Sequence, residues 1–193
     1  MMYSFRIEQA IRAASVLHQE HRRRGSAPYP YVAHLFAVAC IIADYTTDED
    51  IIIAGLLHDA LEDTDYTGEE METDFGVRVR SIVEGASNLV EAEGVEWYER
   101  KHVYLKMLHD APHESLLVVA ANHIHNMRSI VEEYQAALED YLTDFGGTLP
   151  ERLLFYERLA ELLHVKLRNP IMYEFNHVFD EYRNFIETHE PSV

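Results

Sequence analysis

Apolar residues recur at three- and four-residue spacing along nearly the whole of this 193-residue chain, and runs of alternating apolar and polar residues are hard to find. A side chain returns to the same face of a helix every 3.6 residues and to the same face of a strand every two, so the spacing predicts an all-α fold. The first helix is expected from Ser4 to His21, with Phe5, Ile7, Ile11, Ala14 and Leu17 as its inward stripe. Gly25, Pro28 and Pro30 end it, because they cannot continue a helix. A second helix should run from Tyr31 through Asp44. Thr47 is the expected N-cap of a third, starting near Asp48 with Asp50 as a weak capping-box partner and ending at HDALEDTD. Thr67 should cap a short helix over GEEMETDFG, followed by one from Val77 to Leu89. Further helices are expected over 95–109, 113–131, 133–143, 150–167 and 171–188. The segment DFGGTLP, Asp144 to Pro150, reads as a joint before the last two. The expected organisation is one helical domain over 1–145, with 146–193 as a C-terminal helical extension packed on it.

Charge removes several classes of function. With 34 acidic against 16 Lys and Arg residues the net charge is −18, and an acidic surface repels the phosphates of a nucleic acid or an anionic membrane. The hydrophobic share of 48% is ample for a core. The single cysteine, Cys40, lies inside the apolar run LFAVACIIA, so it is expected in the core, no internal disulfide can form, and a reducing compartment fits best. The apolar runs Leu35 to Ala43 and Ile51 to Leu57 are too short for the ~20 residues that span a bilayer. Arg6, Glu8 and Arg12 interrupt any secretory signal at the start. A soluble, cytoplasmic protein is the expectation.

Twelve histidines invite a search for metal ligands. His18, His21, His102, His109, His113, His164, His177 and His189 stand among polar neighbours without a paired ligand and are expected on the surface. His34, His58, His123 and His125 remain. His58 ends an apolar helix and is followed by Asp59, Glu62 and Asp63. Residues four apart share a helix face, which would stack His58 over Glu62 and Asp59 over Asp63. One imidazole and three carboxylates leave water reluctantly unless a cation neutralises them, and a nitrogen and oxygen set suits Mn, Fe, Zn or Mg. The bland alternative is an acidic helix end with solvated carboxylates and a capping histidine.

The string GLLHDALEDTDYTGEEMETDFGVRVRSIVEG, with PYPYVAHLFAVA before it and AANHIHNMRSI after it, resembles the HD-domain phosphohydrolases of the RelA/SpoT hydrolase type. The overlap runs from about Ile7 to Val131. The resemblance implies an all-helical domain holding one divalent cation, usually Mn, and removal of the 3′-diphosphate from guanosine tetra- and pentaphosphate. It places His34, His58 and Asp59 among the metal ligands and matches the Glu-Asp pair to Glu62 and Asp63. The family's fourth ligand is an Asp, and here the matching residue is Asn122, a neutral amide that contributes no charge to a bound cation. His123 stands where the family usually carries Lys or Arg, with weak claims as a ligand. His125 and Asn126 match the pattern, and the match places Asn126 near the nucleotide sugar.

The one basic run in the chain, Arg22 to Arg24, lies just upstream of the matched His34, and guanidinium groups grip phosphate bidentately or stack on a base. The resemblance leaves Arg23 and Arg24 both open as the residue facing the substrate, the alternative being a basic helix end that complements the helix dipole. Arg100 and Lys101 could reach phosphates or simply pair with Glu96 or Glu99. In the expected mechanism a cation binds a phosphoryl oxygen and a water, while Glu62, with Asp63 beside it, orients or deprotonates that water. The partners this implies are a small phosphorylated nucleotide, no nucleic-acid polymer and no membrane, with a homo-oligomer left open. A catalytically weakened relative that binds a nucleotide or a partner without efficient turnover is the alternative, on the strength of Asn122.

Overall fold

The computed structural model describes residues 3–24, 28–88, 95–134 and 146–189. Among them the regular structure is helical, as expected: α1 (Phe5–Leu17), α2 (Val32–Tyr45), α3 (Glu49–Leu57), α4 (Ala60–Asp63), α5 (Gly68–Phe75), α6 (Val77–Ala86), α7 (Trp97–His109), α8 (His113–Glu133), α9 (Leu149–Lys166) and α10 (Ile171–His189). No described helix is long and apolar enough to cross a membrane. The helix expected over 133–143 falls mostly outside the described residues, as do Leu89 and the start of the joint at Asp144.

Local chemistry sets the boundaries. Ser4 accepts the Ile7 N–H and opens α1. Thr67 with Glu70, and Thr148 with Glu151, form complete capping boxes at α5 and α9. At α3 the expectation is off by one: Asp48, not Thr47, is the cap, because its carboxylate accepts the Asp50 N–H two residues on. Between α5 and α6 the backbone of Gly76 adopts φ +94°, a conformation glycine reaches without a Cβ penalty, which makes room for the abrupt change of direction.

The core lies around α8, which packs on α2, α3 and α6 and also on α9 and α10. Leu116, Leu117, Val119, Ala120, Ala121 and Ile124 are buried on it, each large one stabilising by roughly 1.5–3 kcal/mol. Leu163, Phe175 and Tyr182 from the last two helices are fully buried in the same cluster. Two apolar residues are not where the pattern put them. Phe5 is 62% exposed, because it lies about 200° around the helix from buried Ile7. Cys40 is exposed on α2, whose core face is Leu35, Val38, Ala39 and Ile42.

Two features of α2 and α3 bring residues far apart in sequence to the same place. A three-residue link, Thr46 to Asp48, makes the helices antiparallel, so the start of α2 lies beside the end of α3. Gly55 allows the close approach, since a Cβ there would collide with Ile42 on α2.

Candidate metal centre

His34, early in α2, and His58, capping the end of α3, are thereby brought to one end of the helix pair. His58 Nδ1 donates to the Gly55 carbonyl at 2.9 Å. A carbonyl only accepts, so the bond assigns the proton to Nδ1 and leaves Nε2 with a lone pair when the ring is neutral. That Nε2 is buried, makes no well-aligned hydrogen bond among the described residues, and lies 3.1 Å from Asp59 Oδ2. A lone pair facing a carboxylate oxygen is repulsive until a proton or a metal ion stands between them. Burial acts to lower the His58 pKa, but the Asp59 carboxylate outweighs it and the net shift is upward. Conversely, burial would raise Asp59, yet the His58 imidazole holds its carboxyl far below the usual range.

His34 Nε2 lies 3.7 Å from the same Asp59 oxygen. Its Nδ1 is 2.9 Å from His125 Nδ1 on α8. Burial, then the Arg23 charge, push His34 well below its ordinary pKa and His125 down to about 4, so both rings are neutral. We assign the shared proton to His34, which leaves its Nε2 lone pair toward Asp59. Ligand atoms of His34, His58 and Asp59 then lie within 4.8 Å of one another. The Tyr31 hydroxyl donates to Asp59 Oδ2 at 2.6 Å, and burial with the Asp59 charge keeps that phenol protonated. Two imidazole nitrogens, one of them the orphaned His58 Nε2, and one carboxylate fit a divalent cation. His125, the Gly55 carbonyl and Tyr31 hold the three donors in place from behind.

The helix expected here is not continuous, although the Asp63 N–H still bonds the Asp59 carbonyl one turn back at 2.9 Å. α3 stops at Leu57, Asp59 caps a separate turn, α4, and Glu62 and Asp63 stand exposed at the mouth of the site. Glu62 accepts the Asn88 N–H at 2.7 Å. Partial screening from water, then the Asp59 charge, raise its carboxyl to about 7. Asp63 rises for the same two reasons, against the charges of His21, His58 and Arg24.

On α8, Asn122 stands one turn before His125, with its Oδ1 taken by Asn126 Nδ2 at 2.7 Å. Asn126 Oδ1 in turn accepts from Arg23 at 2.5 Å. His123 points elsewhere: it is buried against Phe155 and Tyr156, outside the ligand group, and burial with the Lys101 charge drops its pKa to about 3.

Arg23 is the inward member of the basic run. Its N–H bonds the Tyr29 carbonyl and the Tyr31 N–H bonds the His21 carbonyl, a short extended pairing in which successive side chains alternate. Arg23 is 9% exposed, whereas Arg24 is exposed and Arg22 folds back on the Gln19 and His21 carbonyls, as a helix-end cation does. Arg23 lines a cavity of about 170 Å³ with Lys101, Arg152, Asn126, His123, Trp97, Phe155 and Tyr156. The Lys101 ammonium lies 5.4 Å from the Phe155 ring centre, and burial lowers its pKa. Arg152 stacks 4.9 Å over Trp97 and donates to the Gly146 carbonyl. Glu62 itself lines a groove of about 710 Å³ together with Glu20, Asp63, Asp65 and Glu70.

Four contributors escape the sequence reading. Tyr31 appears in it only as a helix start. Arg152 and Trp97 meet only because α9 packs on α7. His18, expected on the surface, is 1% exposed, stacks on Tyr31 at 5.3 Å, bonds His21 and has its pKa lowered to about 4 by burial. α1 ends at Leu17 rather than His21, and that turn folds His18 inward. Its three-residue spacing from His21 is the only signal that could have exposed it.

The sequence profile of the HD domain matches residues 10–144. The Escherichia coli K12 protein described as bifunctional (p)ppGpp synthase/hydrolase SpoT is 35% identical over 130 residues, covering 65% of this chain and 18% of that protein. A Synechocystis protein described as a probable guanosine-3′,5′-bis(diphosphate) 3′-pyrophosphohydrolase is 36% identical over 119 residues, 59% of this chain and 15% of its own length. The chain therefore spans less than a fifth of these relatives. A solved structure described as a metazoan ortholog of SpoT that hydrolyzes ppGpp has the same fold, with a TM-score of 0.75 at 24% identity over 94% of this chain and 97% of that one.

Proposed function

Because this chain belongs to the HD-domain family, we propose that it is a metal-dependent phosphohydrolase that removes the 3′-diphosphate of guanosine tetra- and pentaphosphate. The observation that carries the reading is the convergence of His34, His58 and Asp59, with an orphaned nitrogen, beside a cavity lined by three cations. Its relatives' described activity favours that nucleotide.

In this reading His34, His58 and Asp59 hold one divalent cation, manganese by preference, with the Asn122 amide as a fourth, uncharged contributor. When bound, the cation supplies positive charge that polarises a phosphoryl group and makes water easier to deprotonate. Glu62 takes the proton from the attacking water, since its carboxyl is poised near 7, and Asp63 orients that water. The water oxygen bonds to the phosphorus next to the ribose, the bond from that phosphorus to the 3′-oxygen breaks, the proton that Glu62 took passes to that oxygen, and pyrophosphate separates from the nucleotide with its free 3′-hydroxyl. Arg23, Lys101 and Arg152 neutralise phosphate charge, Arg24 closes the rim, and Asn126 holds the sugar. Residues 1–145 form the hydrolase domain, 146–193 complete its cavity wall through Arg152, and the cytoplasm supplies the reducing setting that a lone cysteine suits.

The test is incubation with Mn and guanosine 3′,5′-bis(diphosphate). Guanosine 5′-diphosphate and pyrophosphate in equal amounts are expected, and no release with any of Mn, Fe, Zn or Mg would contradict the reading. A second reading, a nucleotide binder without efficient turnover, is favoured by Asn122, whose oxygen is occupied by Asn126. Tight binding with no product would select it.

A further inference from the structure

His123 lines the cavity with two buried ring nitrogens that the proposed reaction leaves unused. It is 6% exposed. Its ring meets Phe155 and Tyr156 edge-on with centroids 5.5 Å away and Tyr104 at 6.4 Å. Neither ring nitrogen has a hydrogen-bond partner among the described residues, although the ring lines the cavity. Buried polar atoms are nearly always paired, because each unpaired one carries its full desolvation cost. An aromatic pocket of this shape would be served as well by phenylalanine, so packing does not explain the imidazole.

The cavity limits what can satisfy it. A neutral imidazole offers one N–H and one lone pair. Arg23, Lys101 and Arg152 are donors only, the Asn126 oxygen is already taken by Arg23, and the Tyr156 hydroxyl, which can accept, bonds neither ring nitrogen. The ring N–H therefore needs an acceptor that arrives with the ligand. At about 170 Å³ the cavity has the room of five or six waters at roughly 30 Å³ each, enough for a phosphate or diphosphate group and too little for a whole nucleotide. Three cations around that space select an anion.

We propose that His123 is a specificity-determining residue that donates its ring N–H to a phosphate oxygen of the nucleotide, beside the cations that neutralise it. The inference rests on the nucleotide-phosphate reading above. A neutral donor packed among three aromatic rings adds a bond whose strength depends on where the phosphate oxygen lies, beside the charge that the cations supply. Because the ring N–H has no partner among the described residues, the phosphate oxygen displaces no protein hydrogen bond when it binds there.

Calorimetry on the Mn-loaded Glu62→Gln protein, whose turnover should be slow enough to observe binding, tests this with guanosine 3′,5′-bis(diphosphate) as probe. Adding His123→Phe should weaken binding by roughly 10- to 100-fold, the range for one hydrogen bond to a charged group, and adding His123→Gln should recover part of the loss. In the ligand-free protein His123→Phe should melt at the same temperature or higher, because it removes two unsatisfied atoms. Equal binding with and without His123→Phe would overturn the inference and leave the function intact. A lower melting temperature with a loss that His123→Gln does not recover would make the residue structural and also overturn it. No binding by the Glu62→Gln protein itself would overturn the nucleotide reading and this inference together.

Discussion

The two ends of α3 carry acidic clusters with opposite fates. At the N-terminal end Asp48, Glu49 and Asp50 are favoured by the helix dipole and met by arginines: Arg78 bonds Asp48 at 2.6 Å and Asp50 at 3.0 Å, and Arg6 reaches Glu49 and Asp50 at 2.8 Å. Arg78 holds the Asp48 carboxyl below its ordinary range. At the C-terminal end, where the dipole disfavours anions, Asp59 is met by imidazoles and a phenol, and Glu62 and Asp63 are pushed toward neutrality. The first cluster is balanced by the chain itself and stabilises a helix start. The second lacks that internal balance, and the cation proposed above would complete it.

Substitutions can break or sharpen that contrast. The largest effect should come from Asp59→Ala, which removes the only carboxylate among the three converging donors. Metal should be lost on elemental analysis and hydrolysis should stop, while the circular dichroism spectrum stays helical. Glu62→Gln should keep the metal and lower turnover by about 10²–10⁴-fold, the usual contribution of one acid–base group. Metal loss in that variant would make Glu62 a ligand. Asn122→Asp should tighten metal binding by about tenfold or more, since a unit charge at contact outweighs an amide dipole, and in chelator it should lower the melting temperature by crowding Asp59. Unchanged affinity would mean that Asn122 does not face the cation. Arg78→Ala, at the balanced end, should cost about 1 kcal/mol or less by denaturant unfolding and leave metal affinity unchanged, because exposed ion pairs contribute little.

The helical class and the His-Asp doublet were legible because both are local: a 3.6-residue period and adjacent residues in one apolar helix. The end of that helix was less so. Asp59 caps its own turn, a break that spacing alone cannot separate from a continuous helix. Asp48 displaced Thr47 for a similar reason, since either side chain can reach a free N–H and only geometry selects one. Tyr31, His18, Trp97 and Arg152 depend on contacts across the fold, and no spacing encodes those. Which of Arg23 and Arg24 is buried was open in the sequence, because it depends on the backbone bonds from Arg23 to Tyr29 and from Tyr31 to His21.

The metal itself gives the sharpest test. Metal-free protein titrated calorimetrically with Mn at pH 7, in two buffers of different ionisation enthalpy, should show one site per chain and net proton release, because the Asp59 carboxylate favours a proton on His58 that must leave before the ring can coordinate. Affinity should accordingly fall as pH drops below the His58 pKa. Absence of binding, or binding of equal strength after Asp59→Ala, would contradict a cation site at the end of α3.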